Sequence, residues 1–302
     1  MQDIITDFYK RFTHEDGIAE KITCPASVCI FGSGKNSCPE VGLRLSFGAE
    51  AAFRPRSDGR IVLSRSDSDT LQSINTVNFP APNIADWAAE IIDAIMKIPT
   101  KTKGVQMLLH TDVGLPELAP RVLCAVAAAA RLANSDLPLQ SILRSAKFPA
   151  YYTASLLENE RITISNIQTL DFISYDLDLT GKKIIVIKIH TRRKSPEFRG
   201  VFPEHEAERI SKAANCLKDG YIDGLGQLMK DSSLDMLQKH PDKKAEQLFS
   251  TILDFTQSVR ILPDYSGAVA FVNDNDVDNF IMLVGDKYEK KTGTRPAFYI
   301  SD

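Results

Sequence analysis

No apolar run in this sequence is long enough to cross a bilayer. The longest candidate, LCAVAAAARLA, is eleven residues and already contains Arg131, whereas a spanning helix needs about 20 apolar residues. There is no basic excess either. The net charge is −3 and the pI about 6.0, which argues against the cationic surface that a nucleic-acid partner requires. Cysteine is sparse. Cys24, Cys29, Cys38, Cys124 and Cys216 are odd in number, mostly sit in apolar segments and form no C-x-x-C. That pattern suits reduced thiols and predicts no metal site. The opening MQDIITDFYK has no basic stretch leading into an apolar one. The expectation is therefore a cytoplasmic protein with no secretory signal and no membrane partner.

What is present is the composition of a globular chain. The 302 residues are 43% hydrophobic and 25% charged, enough for two domains with substantial cores. Five histidines are scattered. His110 and His190 each end an apolar run, and a hydrogen-bonded structural role accounts for either. One stretch, VCIFGSGKNS over Val28 to Ser37, has the look of a strand entering a phosphate loop. The phosphate-loop pattern fails there, because Cys29 stands where its first glycine belongs and Asn36 follows Lys35. A dinucleotide fingerprint fails too, since Ser37 replaces the third glycine. Taken alone, the stretch reads as a tight glycine turn after a strand.

Hydrophobic periodicity orders the rest. Ile4, Ile5, Phe8, Tyr9 and Phe12 mark one face of an opening helix. Strands are predicted over 22–31, 41–54, 60–65 and 73–79, with a turn at RSDGR. NIADWAAEIIDAIMKI reads as a helix capped by Asn83, with Trp87, Ile91, Ile92 and Ile95 on one face. GVQMLLHTD reads as a buried strand, a helix of about twenty residues starts near Pro116, and 138–158 looks helical. RITISN and TLDFISYDLDL form a hairpin pair. The strand KKIIVIKIH then opens a second half, with helices over 204–218, 221–239 and 243–259, the strand GAVAFV, a helix over 275–290 and the strand AFYIS. The fold class is α+β in two domains.

Taken in order, these pieces resemble galactokinases, within the family of small-molecule kinases that also includes homoserine, mevalonate and phosphomevalonate kinases. The family's P-G-R-V-N-L-I-G-E-H-T-D-Y strand and following strand pair are similar to CPASVCIFGSGKNSCPEVGLRLSFGAEAAFRPRSDGR, where Pro25, Val28, Ile30 and Gly32 keep the pattern. The helix YIDGLGQLMKDSSLDM resembles the galactokinase F-G-x-L-M-x-x-S-H-x-S-L helix. The end, YSGAVAFV followed by YEKKTGTRPAFYIS, resembles its G-G-C-A-x-A-L-V strand and final helix and strand. The resemblance covers nearly the whole chain and implies a mixed-sheet N-terminal domain over 1–180 and a ferredoxin-like α/β sandwich over 181–302. It places VCIFGSGKNS where galactokinases hold their sugar, so that Ser33, Gly34, Lys35 and Asn36 become the candidate substrate contacts.

The departures fall on chemistry. Ser27 stands where the family's arginine balances charge on the transferred phosphoryl group. The family's G-L-S-S-S-A nucleotide loop corresponds to Gly114, Leu115, Pro116 and Glu117, without the serines and with a carboxylate where phosphate would sit. The family's catalytic aspartate aligns with Tyr152, and Asp171 is the nearest later candidate for a relocated base. Ser266 and Gly267 survive from the C-terminal glycine-rich loop, but LPDY replaces the glycines before them. The chain is also shorter than a typical galactokinase. Loss of a general base costs about 10²–10⁴ in rate, and loss of the stabilising cation about 10³–10⁵. The resemblance therefore implies a galactokinase-like protein that has lost phosphoryl transfer and acts by binding a ligand, a small sugar or a protein partner, without cofactor. The alternative is a divergent kinase of galactose or a related sugar, with Mg-ATP, Asp171 as base, and Lys35 or Arg193 as the cation. A third reading is a scaffold with no small ligand.

Glu117 offers a direct check. An acidic residue in the first turn of a helix is favoured by the helix dipole by about 0.3–1 kcal/mol. Glu117→Ser should therefore lower stability by no more than this and raise affinity for ATP, while producing no sugar phosphorylation because Ser27 and Tyr152 remain. Nucleotide binding and a coupled phosphorylation assay on parent and variant measure both effects.

Overall fold

The computed structural model describes residues 3–12, 17–32, 39–75, 84–98, 104–111, 119–132, 156, 160–166, 171–189 and 205–302. These fall into two compact units. One holds the described residues of Met1–Ala26 and Phe47–Phe148, the other those of Ser27–Ser46 and Pro149–Asp302. Two long strands, β1 (Glu20–Phe31) and β2 (Glu40–Pro55), contribute residues to each unit, so no single cut along the chain delimits them.

In the first unit, β2 pairs antiparallel with β5 (Val105–Thr111), β5 pairs parallel with β3 (Arg60–Arg65), and β3 pairs antiparallel with β4 (Leu71–Asn75). Helix α1 (Ile4–Arg11) covers one face. Its Ile4 and Phe8, with Phe12, pack on Ala52, Val62 and Leu108, which share a face because strand side chains alternate. On that face a buried guanidinium replaces one apolar side chain. Arg54 donates to Gln106 Oε1 at 2.8 Å and to the Phe12 carbonyl at 3.0 Å, and lies 5.2 Å from the Phe8 ring centre. Helix α3 (Ala119–Leu132) packs on β5 and on α2 (Asp86–Met96).

Helix α2 starts later than the sequence suggests. Asn83 lies outside the described residues, and the cap position is Ala85, which offers no side-chain bond. Its amide instead donates to Gln72 Oε1 at 3.1 Å, so a neighbouring side chain supplies the acceptor. Ile91, Ile92 and Ile95 are buried as expected, while Trp87 is half-buried with the Arg65 guanidinium 5.6 Å from its ring. At the RSDGR turn, Asp58 accepts from the Arg56 guanidinium and the Arg60 amide, which hold its carboxyl down to about 2.

In the second unit the predicted hairpin is present. β6 (Ile162–Asn166) pairs antiparallel with β7 (Asp171–Tyr175) and with the Glu40–Leu43 part of β2. A second, antiparallel sheet has the order β11-β8-β10-β9, from β8 (Lys182–Lys188), β9 (Val259–Ile261), β10 (Gly267–Asn273) and β11 (Ala297–Ser301). Gly267 to Val272 runs opposite Lys188 to Lys183, the pairing the motif order predicts. Helices α4 (Glu206–Lys218), α5 (Ile222–Lys239), α6 (Lys243–Leu253) and α7 (Val277–Thr292) complete the unit. Alternate residues of the strands, such as Ile185, Ile187, Ala268 and Ala270, form a core with Leu248 and Phe249 of α6 and Phe280 of α7. The helix expected over 243–259 ends at Leu253. Val259–Ile261 is a strand instead, because Val259 and Ile261 alternate into the core while the Thr256 hydroxyl bonds the Phe271 carbonyl and the Ser258 amide. Among the described residues, no helix is long and apolar enough to cross a membrane.

Phe8→Ala would empty a fully buried aromatic site between α1 and the sheet. A loss of about 3–5 kcal/mol is expected, read as a lower urea midpoint with an unchanged slope.

Candidate functional site

The residues of the sugar-motif strand belong to the second unit from Ser27 onward. Ser27 is buried, and its hydroxyl donates to the Leu43 carbonyl at 3.2 Å. The position is thus a neutral side chain tied to backbone. Past the end of β1, Gly32 has φ +107, a conformation that side chains with a Cβ rarely adopt. A methyl there would also lie 3.0 Å from Glu40 Cγ. The four residues that follow in the motif, Ser33, Gly34, Lys35 and Asn36, lie outside the described residues.

Beneath this turn lies a charge network that the sequence reading missed. Glu206, fully buried at the start of α4, accepts from the Gly32 amide at 3.0 Å. It also accepts from the Ser232 hydroxyl at 2.9 and 2.7 Å and from Arg209 at 3.2 Å. Arg209 in turn binds Asp235. Arg260, also fully buried, donates from Nε to the Ile30 carbonyl at 3.0 Å, and its Nη2 stands 3.7 Å from Glu206 Oε1. Burial pulls the Arg260 pKa down and Glu206 opposes the shift; a guanidinium stays charged regardless. Two anions and two cations therefore balance. In sequence, nothing distinguishes Glu206 from an ordinary acid in a helix's first turn. The available signal was Arg260, a lone charge between two apolar strand residues.

Glu206→Ala would leave Arg260 buried without its carboxylate, and a loss of about 3–5 kcal/mol is expected. Glu206→Gln should lose less, because the amide oxygen can still accept from Gly32. Replacing both partners, as Glu206→Leu with Arg260→Met, should recover a large part of the loss. Urea denaturation of the four proteins checks this.

The C-terminal glycine-loop position is a tight hairpin between β9 and β10. The Leu262 amide bonds the Gly267 carbonyl and the Tyr265 amide bonds the Leu262 carbonyl, both at 2.9 Å. Pro263 fits the second turn position, and Tyr265 takes φ +57. The Tyr265 ring is buried, its hydroxyl donating to the His240 carbonyl at 2.8 Å, and burial pushes its pKa up to about 12. Both polar donors of Ser266 go to one carboxylate oxygen. Its amide is 3.0 Å and its hydroxyl 2.7 Å from Asp264 Oδ1. Gly267 is required by packing, since a Cβ would run into the Ile187 carbonyl and sit 3.1 Å from Lys188 Cα. Ser266 and Gly267 thus have structural reasons of their own. Both donors of Ser266 are taken up by the Asp264 carboxylate.

Of the remaining sequence candidates, Asp171 is exposed at the start of β7, opposite Asn166 in register. His110 Nδ1 lies 2.7 Å from the Ser66 hydroxyl, the hydrogen-bonded role expected of it. Cys24, Cys29 and Cys124 are buried free thiols, and burial raises the Cys124 pKa well above its usual value. Gly114, Leu115, Pro116, Glu117, Tyr152, His190 and Arg193 lie outside the described residues.

No family model matches the sequence. Galactokinase from Bacillus subtilis (strain 168) is 33% identical over 104 residues, 32% of this chain and 27% of that protein. Galactokinase from Streptococcus thermophilus is 28% identical over 149 residues, 47% of this chain and 36% of that protein. The matched stretches thus span about a third of the curated relatives' length. Among solved structures, Lactococcus lactis galactokinase complexed with galactose superposes with a TM-score of 0.79 at 14% identity, over 99% of this chain and 97% of that one. Methanococcus jannaschii mevalonate kinase gives 0.67 at 11%, over 95% and 98%. The chain is thus similar to galactokinases by sequence over the matched stretches, and over nearly its whole length it has the fold that these galactokinase and mevalonate kinase structures share.

Proposed function

We propose that this protein binds a sugar-like ligand in the manner of a galactokinase and acts as a binding or regulatory protein without competent phosphoryl transfer. The observation that carries the reading is Asp264. It occupies the amide and hydroxyl of Ser266, donors that a nucleotide phosphate would otherwise use, and it adds a negative charge beside them. Two like unit charges about 4 Å apart near a protein surface repel by about 4 kcal/mol. Mg-ATP therefore does not fit this loop as it stands. The neutral, backbone-bonded Ser27 adds to the reading, as do Pro116 and Glu117 in the sequence. The ligand class is supported by the galactose held in the Lactococcus lactis galactokinase structure, and Ser33, Gly34, Lys35 and Asn36 are the residues we assign to contact it. The kinase alternative would have to use Asp171, a solvated carboxylate on a strand.

Binding at a hundred times its dissociation constant adds about 2.7 kcal/mol to stability, a melting shift of a few degrees. Millimolar Mg-ATP should produce no such shift in the parent, and galactose should. Asp264→Asn should raise nucleotide affinity without producing turnover. Galactose phosphorylation by the parent that disappears in Asp171→Asn would establish a kinase and end the proposal.

A further inference from the structure

One carboxylate oxygen beneath the end of β1 is within reach of two donors and serves the neutral one. Glu206 Oε1 accepts from the Gly32 amide at 3.0 Å and shares the Ser232 hydroxyl at 2.9 Å. Oε2 takes the same hydroxyl at 2.7 Å and Arg209 Nη1 at 3.2 Å. Arg260 Nη2 stands 3.7 Å from Oε1 and is buried without a hydrogen bond. Its Nη1 has the Met236 sulfur at 3.8 Å, a weak acceptor. Nε donates to the Ile30 carbonyl at 3.0 Å.

This is the reverse of what pair energetics alone favour. A buried guanidinium and carboxylate gain most from a direct, forked contact, because charge-assisted hydrogen bonds are about twice as strong as neutral ones. A buried donor left without an acceptor is destabilising. A movement of about 1 Å would bring Nη2 within bonding distance of Oε1, yet the Gly32 amide and the Ser232 hydroxyl hold that oxygen. The arrangement preserves two backbone groups on either side of Phe31. Arg260 holds the Ile30 carbonyl and Glu206 holds the Gly32 amide. Val259 and Ile261 point into the core, so strand alternation leaves Arg260 on the other face of β9, where β1 ends. Gly32 takes φ +107 and has no side chain to fix its orientation. Its hydrogen bond sets the direction in which the chain leaves the strand.

We propose that Glu206 and Arg260 are positioning residues for sugar binding. Neither touches the ligand. Glu206 acts through the Gly32 amide and Arg260 through the Ile30 carbonyl, and together they aim the chain that continues into Ser33, Gly34, Lys35 and Asn36. The geometry stands on the described residues, while its consequence for a sugar rests on the reading proposed above. Stability and positioning then separate. Apolar side chains in place of the pair can restore stability, but they offer Gly32 no acceptor. A glutamine at 206 loses the charge and keeps the acceptor.

The test compares three full-length proteins: the parent, Glu206→Gln, and Glu206→Leu combined with Arg260→Met. Hydrogen exchange at the Gly32 amide is followed by NMR and expressed relative to the amides of β8 and β10, so that global destabilisation cancels. Galactose affinity is measured by calorimetry and stability by urea denaturation. The double variant should recover much of the stability lost in Glu206→Ala, yet lose relative protection at Gly32 about tenfold, as expected for one missing hydrogen bond. It should bind galactose about tenfold more weakly, because ordering the turn then falls to the ligand. Glu206→Gln should lose stability but keep Gly32 protection and galactose affinity near the parent's. A purely structural pair would move affinity and stability together. If the double variant does not fold, Glu206→Ala takes its place under the same relative measure. The proposal falls if the double variant keeps Gly32 protected, if it loses that protection and still binds galactose as the parent does, or if Glu206→Gln loses affinity in step with its stability. Each of these outcomes, with galactose bound by the parent, leaves the sugar-binding reading standing. A parent that binds no galactose overturns that reading and this one with it.

Discussion

The second unit depends on a carboxylate and a guanidinium that have both left water. Desolvating either alone costs several kcal/mol. Glu206 and Arg260 offset that cost through neighbours: Ser232, Arg209 and the Gly32 amide on one side, the Ile30 carbonyl on the other. Together these bonds join four elements. The end of β1, the start of α4, the middle of α5 and strand β9 must all arrive at one point for the charges to be satisfied. A buried pair of this kind is a weak source of net stability, because an apolar replacement of similar shape often does as well. What it supplies is geometry. Gly32, at the exit of the strand that the sugar motif occupies, is held by its amide and by a conformation that side chains disfavour.

The hairpin at Leu262–Gly267 is held by packing and by its own hydrogen bonds. Gly267 stays because β8 passes too close for a side chain. Ser266 has its donors turned to Asp264, and Tyr265 closes the turn from below by burying its ring and bonding the end of α5.

The Glu206–Arg260 network is not fully closed: Arg260 Nη2 is buried without a hydrogen bond and stands 3.7 Å from Glu206 Oε1. That oxygen goes to the Gly32 amide and the Ser232 hydroxyl instead. In a site of low polarity an unpaired donor is destabilising, so the fold accepts a loss at Arg260 and keeps the end of β1 in place.

Much of the architecture was legible in the sequence because it rests on short-range pattern. Period-two runs such as Lys182–Lys188 and Gly267–Asn273 are strands, the RSDGR turn joins two of them, and the order of motifs foretold which pair across a sheet. The errors came where local and tertiary preferences compete. Val259–Ile261 was absorbed into a helix, although its partner strand, residues later in the chain, makes it a strand. Asn83 looked like a cap, but Gln72 on β4 accepts from the Ala85 amide instead. The buried pair of Glu206 and Arg260 was invisible, because 54 positions separate residues that meet only when α4 and β9 fold together. Sequence by itself determined most of the elements, their order and the resemblance to galactokinases, because periodicity and motif act along the chain. Tertiary structure alone decided which polar groups are spent on one another and which remain open, because desolvation and hydrogen-bond pairing are set by neighbours distant in sequence.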